Sequence, residues 1–271
     1  IELDDLLGQS KVIAEAWDAA GLYQIGSFPG ARWAEWNGKY RDCIRNFIKG
    51  EPGIIGEVAG RITGSADLYQ GRHHEPTNSV NFVTAHDGFT LYGLTAYNEK
   101  HNWANGEGNN DGIADNVSWN CGAEGETNDQ WINDLRKRQV KNFATIHMLS
   151  IGVPMIVAGD EFMRSQGGNN NTYCHDNEIN WFDWNKIQQP ESQEMIRFWS
   201  MIMDKRKNYI DHFKGRYFEG GSNRFGLYDV SWHGTKLDSP GWDDPNALCL
   251  AMTLGDTAED NDQTNNINVM F

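Results

Sequence analysis

A short apolar segment that ends on acidic and aromatic residues is the feature that most constrains how this chain can fold. Residues 11–18 read KVIAEAWD, and an apolar run of this length predicts a buried strand. In a parallel barrel, the residues at the carboxyl ends of the strands face the active site. The segment therefore predicts an α/β fold of the TIM-barrel type and makes Glu15 the first candidate catalytic residue.

A second segment of the chain has the same pattern. The predicted strand at 80–85, VNFVTA, leads directly into His86 and Asp87. Two carboxylates at separate strand ends, set among aromatic residues, are typical of glycoside hydrolysis, in which one acid protonates the leaving oxygen. A structural alternative stays open for each acid, because an Asp after a strand often caps the next helix.

The remaining predicted elements fill half of an eightfold barrel. Further strands are predicted at 33–36 and 154–158, which gives four strands, whereas a complete barrel has eight strands and takes about 250 residues. Amphipathic helices are predicted up to Lys49, after the candidate cap Asp129, and over Glu191–His212. The Gly- and Asn-rich stretch Gly88–Asp129 is predicted to be a long loop that lines the cleft.

The pattern changes near residue 215. Short alternating segments at 225–230, 248–254 and 267–271 predict the start of an antiparallel β-sandwich. The predicted organisation is thus 1–214, the carboxyl-terminal half of a catalytic (β/α)8 barrel, followed by 215–271, a β-sandwich that is cut short.

Three segments resemble one known family. AEAWD at 14–18, WAEWNGKYRD at 33–42 and AHDGFTLY at 85–92 are similar to segments of isoamylase and the glycogen-debranching enzymes of the alpha-amylase superfamily. Further similar segments are KHN at 100–102, ANGE at 104–107, WNCG at 119–122, GDEF at 159–162, NNNTY at 169–173 and WFDW at 181–184. The resemblance therefore extends over nearly the whole chain.

The resemblance implies a retaining hydrolase of α-1,6 branch linkages in glycogen or starch-like glucans. It makes Glu15 the general acid and then base, gives Asp87 a role in binding substrate hydroxyls and stabilising the transition state, and gives His86 a hydrogen bond to glucose. Trp17 and Tyr23 are candidates for stacking on glucose rings. In the family the nucleophilic Asp lies on the strand before the acid strand, so we expect this chain alone to lack the nucleophile.

The composition of the chain indicates which kinds of molecule it can bind. The formal net charge of −15 disfavours nucleic acid and anionic membrane surfaces, which attract basic patches, whereas a neutral glucan is indifferent to it. No cofactor is predicted. The oxygen-rich segments 109–112 and 256–262 lack the spacing of a calcium loop, so no metal is predicted either.

The four cysteines, Cys43, Cys121, Cys174 and Cys249, lie far apart in the sequence. That spacing favours a reducing compartment, either the cytoplasm or, in a photosynthetic eukaryote, a plastid.

Two alternative functions stay open at this point. One is an α-1,4-acting amylase, against which the AEAWD context argues. The other is a non-catalytic glucan-binding subunit or pseudoenzyme, which the presence of Glu15, His86 and Asp87 disfavours but the missing nucleophile leaves open.

Overall fold

The first part of the chain forms a four-stranded parallel sheet. A computed structural model describes residues 4–18, 20–28, 32–72, 74–210, 215–222, 226–255 and 266–270. The strands pair in sequence order as β1 (Val12–Ala14), β2 (Trp33–Trp36), β3 (Ser79–Phe82) and β4 (Val153–Met155). Consecutive parallel strands joined by helices are the construction of a (β/α) barrel, and four of them make half of one.

The predicted strands are present, but three of them differ in extent. β1 ends at Ala14 rather than Trp17, β3 ends at Phe82 rather than Ala85, and β4 is shifted by one residue and ends at Met155 rather than Ala158. After Ala14 the backbone turns back on itself, because Trp17 pairs in an antiparallel bridge with Tyr23 instead of with β2.

Helices connect β2 to β3 and β3 to β4. α1 (Gly38–Lys49) follows β2, and α2 (Ile55–Ile62) and the short α3 (Ala66–Tyr69) lead to β3. The short α4 (Gly93–Ala96) and α5 (Gln130–Leu149) lie between β3 and β4, and α6 (Pro190–Tyr209) follows β4.

Local signals explain where the long helices begin and end. The Asn37 side chain accepts from the backbone N–H of Tyr40 at the start of α1, and Gly50 ends that helix with φ of 89°. The predicted cap Asp129 is confirmed, since its Oδ1 accepts from the N–H of Trp131 and of Ile132.

The apolar faces of these helices pack into one large core. Tyr40, Ile44 and Phe47 of α1 are buried in it, together with Val140 and Phe143 of α5. Trp131 in the first turn of α5 is 88% exposed and Met203 of α6 is 39% exposed, so both lie outside this core.

The region 88–129 is only partly a loop. Its first ten residues carry α4 and are largely buried, with Phe89, Leu91 and Leu94 in the large core. The remainder, from 98 to 129, is mostly irregular, as predicted.

An antiparallel sheet follows the barrel strands. β5 (Val230–His233), β6 (Ala251–Gly255) and β7 (Asn266–Met270) pair in that order. Leu250 and Met252 belong to the same core as the barrel helices, so the antiparallel sheet packs against those helices. An α/β fold with half a barrel's strands and a following antiparallel sheet is therefore confirmed.

Several predicted positions lie outside the described residues: Phe225, His212, Phe271 and the segment 256–262. Over the described ranges, no helix is both long and apolar enough to cross a membrane.

Candidate active site

Glu15 and Asp87 lie after strands that run in the same direction. In the parallel register Ala14 pairs with Glu35 and Trp36 pairs with Val80, so the carboxyl ends of β1, β2 and β3 meet at one edge of the sheet. Glu15 follows Ala14 directly and is exposed. The structure thus places the two predicted acids at one edge, where a barrel has its active site.

Trp36, at the end of β2, connects the two predicted strand ends. Its ring centroid lies 6.4 Å from that of Trp17 and 5.8 Å from that of His86. Phe82, the last residue of β3, lies 5.6 Å from Trp36 in the same measure. The rings beside the two acids therefore form one continuous group: Trp17, Trp36, Phe82 and His86.

Trp17 is held from several sides. Tyr23 stacks on it with centroids 6.2 Å apart and planes inclined by 22°. The Arg41 guanidinium carbon lies 5.8 Å from the Trp17 ring centroid and 5.5 Å from that of Phe82. Trp17 is half-buried and Tyr23 is 47% exposed, so both rings keep a surface that a sugar can reach.

A buried carboxylate, Glu35, holds the segment after Glu15. Glu35 is 1% exposed, and its Oε2 and Oε1 accept from the backbone N–H of Gly26 at 2.5 Å and of Phe28 at 3.2 Å. The Glu15 segment is tied to this anchored stretch, because the N–H of Gln24 donates to the carbonyl of Ala16 at 2.7 Å.

A second buried carboxylate, Asp160, holds the turn that carries His86 and Asp87. Asp160 is 2% exposed; its Oδ2 accepts from the Thr84 hydroxyl at 2.5 Å and its Oδ1 from the Leu91 N–H at 2.9 Å. Thr84 and Leu91 flank the turn on its two sides. Asp160 therefore joins both ends of the turn to the segment after β4.

Arg45 of α1 supports the same turn from below. Its Nε and Nη2 donate to the carbonyl of Val83 at 2.9 and 2.6 Å, and its Nη1 donates to the carbonyl of Asn116 at 3.0 Å. Arg45 is 3% exposed. Since three of its donors bind backbone oxygens, the guanidinium fixes the end of β3 against the long loop.

Burial sets the electrostatics of these two groups. It lowers the pKa of Arg45 to about 9, and Asp87 and Asp160 act in the opposite direction through their charge. Burial raises the pKa of the Asp160 carboxyl to about 6, although the hydrogen bonds from Thr84 and Leu91 favour its ionised form.

Two long loops above the sheet are joined through buried asparagines. Asn102 Nδ2 donates to Asn170 Oδ1 at 2.8 Å, and the Asn170 N–H donates to Asn102 Oδ1 at 2.9 Å. Both residues are at most 1% exposed. The Asn170 carbonyl also accepts from the N–H of Gly88 at 2.9 Å, so this pair contacts the residue directly after Asp87.

Sequence reasoning missed Glu35, Trp36, Arg45 and the asparagine pair as parts of the site. The available signal was a carboxylate inside an otherwise apolar strand and an arginine on the apolar face of α1, next to Ile44. Asp160 follows the predicted strand at 154–158, and the contacts that the structure shows for it, with Thr84 and Leu91, are structural.

In the portion of the chain that the structure describes, no group of three or more His, Cys, Asp or Glu side chains is arranged to hold a metal ion.

Curated proteins of similar sequence match almost all of this chain. The glycogen operon protein GlgX homolog of Mycobacterium tuberculosis (strain ATCC 25618 / H37Rv) is 46% identical over 264 residues, which are 95% of this chain and 36% of that protein. Isoamylase 3, chloroplastic, of Oryza sativa subsp. japonica is 48% identical over 260 residues, 94% of this chain and 31% of that protein. The chain spans about a third of the length of these relatives. No family profile matches it.

Solved structures of similar fold are pullulanases. The pullulanase from Bacillus acidopullulyticus superposes with a TM-score of 0.63 at 17% identity, covering 96% of this chain and 28% of that one. The Paenibacillus barengoltzii pullulanase in complex with maltohexaose and alpha-cyclodextrin gives 0.60 at 20% identity, covering 93% and 35%. At these identities the likeness establishes the fold, and the sequence identities of 45–48% establish the relationship. The chain belongs to the isoamylase and glycogen-debranching enzymes of the alpha-amylase superfamily.

Proposed function

We propose that the protein carrying this chain is a retaining glycoside hydrolase that cleaves α-1,6 branch linkages of glycogen or starch-like glucans. The observation that carries the proposal is the convergence of Glu15 and the His86–Asp87 turn on one sheet edge, with Trp36 in ring contact with both Trp17 and His86. The names of the relatives, glycogen operon protein and isoamylase, support the substrate class.

Glu15 supplies the proton in this mechanism. Its carboxyl group protonates the oxygen of the scissile linkage as the bond breaks, and its carboxylate then takes a proton from the attacking water. The exposed position of Glu15 directly after β1 leaves it accessible to a polymeric substrate.

Asp87 and His86 hold the sugar during that step. Asp87 accepts hydrogen bonds from hydroxyls of the glucose ring, and these bonds strengthen as positive charge develops at the anomeric carbon. His86 donates to a hydroxyl of the same ring, while Trp17 and Tyr23 offer faces on which apolar sides of glucose units stack.

We propose that the nucleophilic Asp is contributed by a part of the protein outside these 271 residues, about 5 Å from Glu15, as retention requires. Residues 1–214 form the carboxyl-terminal half of the catalytic barrel in this proposal, and residues 215–271 form the start of the β-sandwich. We expect residues 1–271 on their own to hydrolyse no glucan. The compartment proposed is the cytoplasm, or a plastid in a photosynthetic eukaryote.

Linkage specificity tests the proposal. The full-length protein that contains this sequence should release linear chains from glycogen or amylopectin and should leave amylose nearly unshortened. Chain-length analysis of the products measures both. Rapid shortening of amylose would show an α-1,4-acting enzyme instead. Glucan binding without any hydrolysis would show a binding subunit.

A further inference from the structure

The two candidate acids share one structural device. Glu15 and Asp87 each lie in a segment held by a buried carboxylate, Glu35 of β2 for the first segment and Asp160, which follows β4, for the second. We propose that Glu35 and Asp160 are positioning residues, which fix the backbone that carries Glu15 and the backbone that carries Asp87. The assignment rests on the proposed function of those two acids.

The path from Glu35 to Glu15 is continuous in the backbone. Glu35 binds the N–H groups of Gly26 and Phe28, and the neighbouring Gln24 donates to Ala16, the residue after Glu15. A rotation or shift of residues 24–28 is thereby passed to the acid through one hydrogen bond.

Gly26 shows independently that this stretch must pass close to Glu35. Its φ is +76°, and a Cβ placed there would lie 2.5 Å from the backbone oxygen of Leu68. The backbone runs through a slot with Leu68 on one side, and only glycine fits it. The amide that Glu35 binds is therefore fixed in place by the shape of the slot as well as by the hydrogen bond.

The path from Asp160 to Asp87 encloses the turn. Thr84 lies two residues before His86, Leu91 lies four residues after Asp87, and both donate to the one carboxylate. Val83, next to Thr84, is bound by Arg45, and Gly88, next to Asp87, is bound by the carbonyl of Asn170.

A carboxylate is chemically suited to this task in a way that an apolar or amide side chain is not. Its two oxygens accept from two separate donors at once, and bonds to an ionised acceptor are stronger than neutral ones. Burying an ionisable group costs free energy, so packing alone does not favour these acids at the end of a strand.

The first test uses Glu35→Gln with Asp229→Asn as its matched control. Asp229 is also buried and also accepts from backbone N–H groups, those of Glu219, Gly220 and Val230, but beside β5, away from both candidate acids. Both substitutions keep the side-chain size and replace one acceptor by a donor. In the full-length protein that contains this sequence, Glu35→Gln should lower kcat on a branched glucan about 10- to 100-fold and change KM less than about threefold. Asp229→Asn should leave both within about twofold.

Non-additivity separates positioning from a general loss of structure. If Glu35 acts through Glu15, the double variant Glu15→Gln/Glu35→Gln should be no slower than Glu15→Gln alone. If the fold-losses in kcat of the two single variants multiply in the double variant, the assignment is wrong, because Glu35 then affects turnover by a route other than Glu15.

Thr84 provides the test for Asp160. Thr84→Ser keeps the hydroxyl that donates to Asp160, and Thr84→Val keeps the shape without the donor. We expect near-normal kcat for the serine variant and about a tenfold loss for the valine variant. Equal kcat in the two variants would remove Asp160 from the positioning role.

A measurement that is independent of catalysis distinguishes failure of this proposal from failure of the proposed function. Glu35→Gln should accelerate amide hydrogen exchange within residues 15–28 and leave residues 219, 220 and 230 unchanged, with the reverse for Asp229→Asn. If Glu15→Gln retains full turnover, the proposed function is wrong whatever the exchange shows. If Glu15→Gln is slow but Glu35→Gln changes neither kcat nor exchange, the positioning role alone is wrong.

Discussion

Trp17 stacks on Phe82, with ring centroids 6.2 Å apart and ring planes inclined by 20°. Trp17 belongs to the segment after β1 and Phe82 ends β3, so this contact spans β2 and joins the segment that carries Glu15 to the strand that leads to Asp87. Arg41 lies against both rings and Phe82 is fully buried, so the accessible surface of this pair is the exposed part of the half-buried Trp17.

Replacing Trp17 should therefore weaken glucan binding. For Trp17→Ala we expect KM for a branched maltooligosaccharide to rise about tenfold, since an aromatic contact contributes about 0.5–1.5 kcal/mol beyond buried area. Trp17→Phe, which keeps a ring, should show less than half of that loss in free energy. An unchanged KM in the alanine variant, with lower stability alone, would restrict Trp17 to packing.

Glu15→Gln tests the proton donor. The amide has the size of the carboxyl group but no proton to transfer, so turnover should fall by about 10²- to 10⁴-fold while glucan affinity is kept. Glu51→Gln is the control, because Glu51 is also exposed but follows α1 at its far end from the candidate site. Near-normal turnover of the Glu15 variant on a branched glucan would show that Glu15 is not the proton donor.

Gly112 tests whether the two asparagine-rich loops depend on close packing. Its φ is +74°, and a Cβ there would lie 2.4 Å from Asn170 Oδ1 and 2.7 Å from Asn102 Nδ2. Gly106 has φ of +81° with nothing within 4 Å of its Cβ position. Gly106→Ala thus measures the backbone strain alone, about 1 kcal/mol, and Gly112→Ala should cost more than twice as much.

Urea unfolding of both variants gives these free energies directly. Equal destabilisation by the two substitutions would mean that the Asn102–Asn170 pair adjusts without cost.

His147 predicts a loss of stability in mild acid. It is buried, its Nε2 donates to the carbonyl of Asn81, and burial lowers its pKa to about 4. The unfolded chain takes up a proton near pH 6.5 while the folded chain does not, so the free energy of unfolding should fall as the pH drops from about 6.5 to 4. His147→Gln should make this fall shallower by up to about 3 kcal/mol.

Asp160 acts in the opposite sense over an overlapping range. Its pKa in the folded chain is raised to about 6, so its stabilising contribution is complete below about pH 4 and is lost as the pH rises through 6. Asp160→Asn should therefore steepen the acid-side loss of stability that His147 causes. Urea unfolding at four pH values between 4.5 and 7.5 measures this change. If the dependence of the free energy of unfolding on pH is unaltered in both variants, burial does not shift the pKa values of Asp160 and His147 in the stated directions.

The order and type of the barrel elements could be predicted because they depend on local patterns. Apolar runs of four to six residues predicted β1 to β4, and the caps Asp129 and Gly50 fixed helix ends through contacts within a few residues. The strand ends could not be placed, since the end of β1 depends on Tyr23 folding back onto Trp17.

The roles of the acids could not be predicted from the sequence, because they depend on contacts between distant residues. The sequence marks Glu15, Glu35, Asp87 and Asp160 alike as acids near strand ends. What separates Glu15 and Asp87 from the buried Glu35 and Asp160 is the donor set, and Asp160 accepts from Leu91, which is 69 residues away. Contacts at that separation leave no trace in a window of neighbouring residues.

The reciprocal bonds between Asn102 and Asn170 have a consequence for recombination among related barrels. A loop taken alone from a barrel that lacks the corresponding asparagine would leave a buried amide without its partner, which costs about 1–3 kcal/mol. With such a parent, the loop after β3 and the loop after β4 have to be grafted as a pair. Chimeras of that kind with a crossover between residues 102 and 170 should express less folded protein than chimeras in which both loops come from one parent.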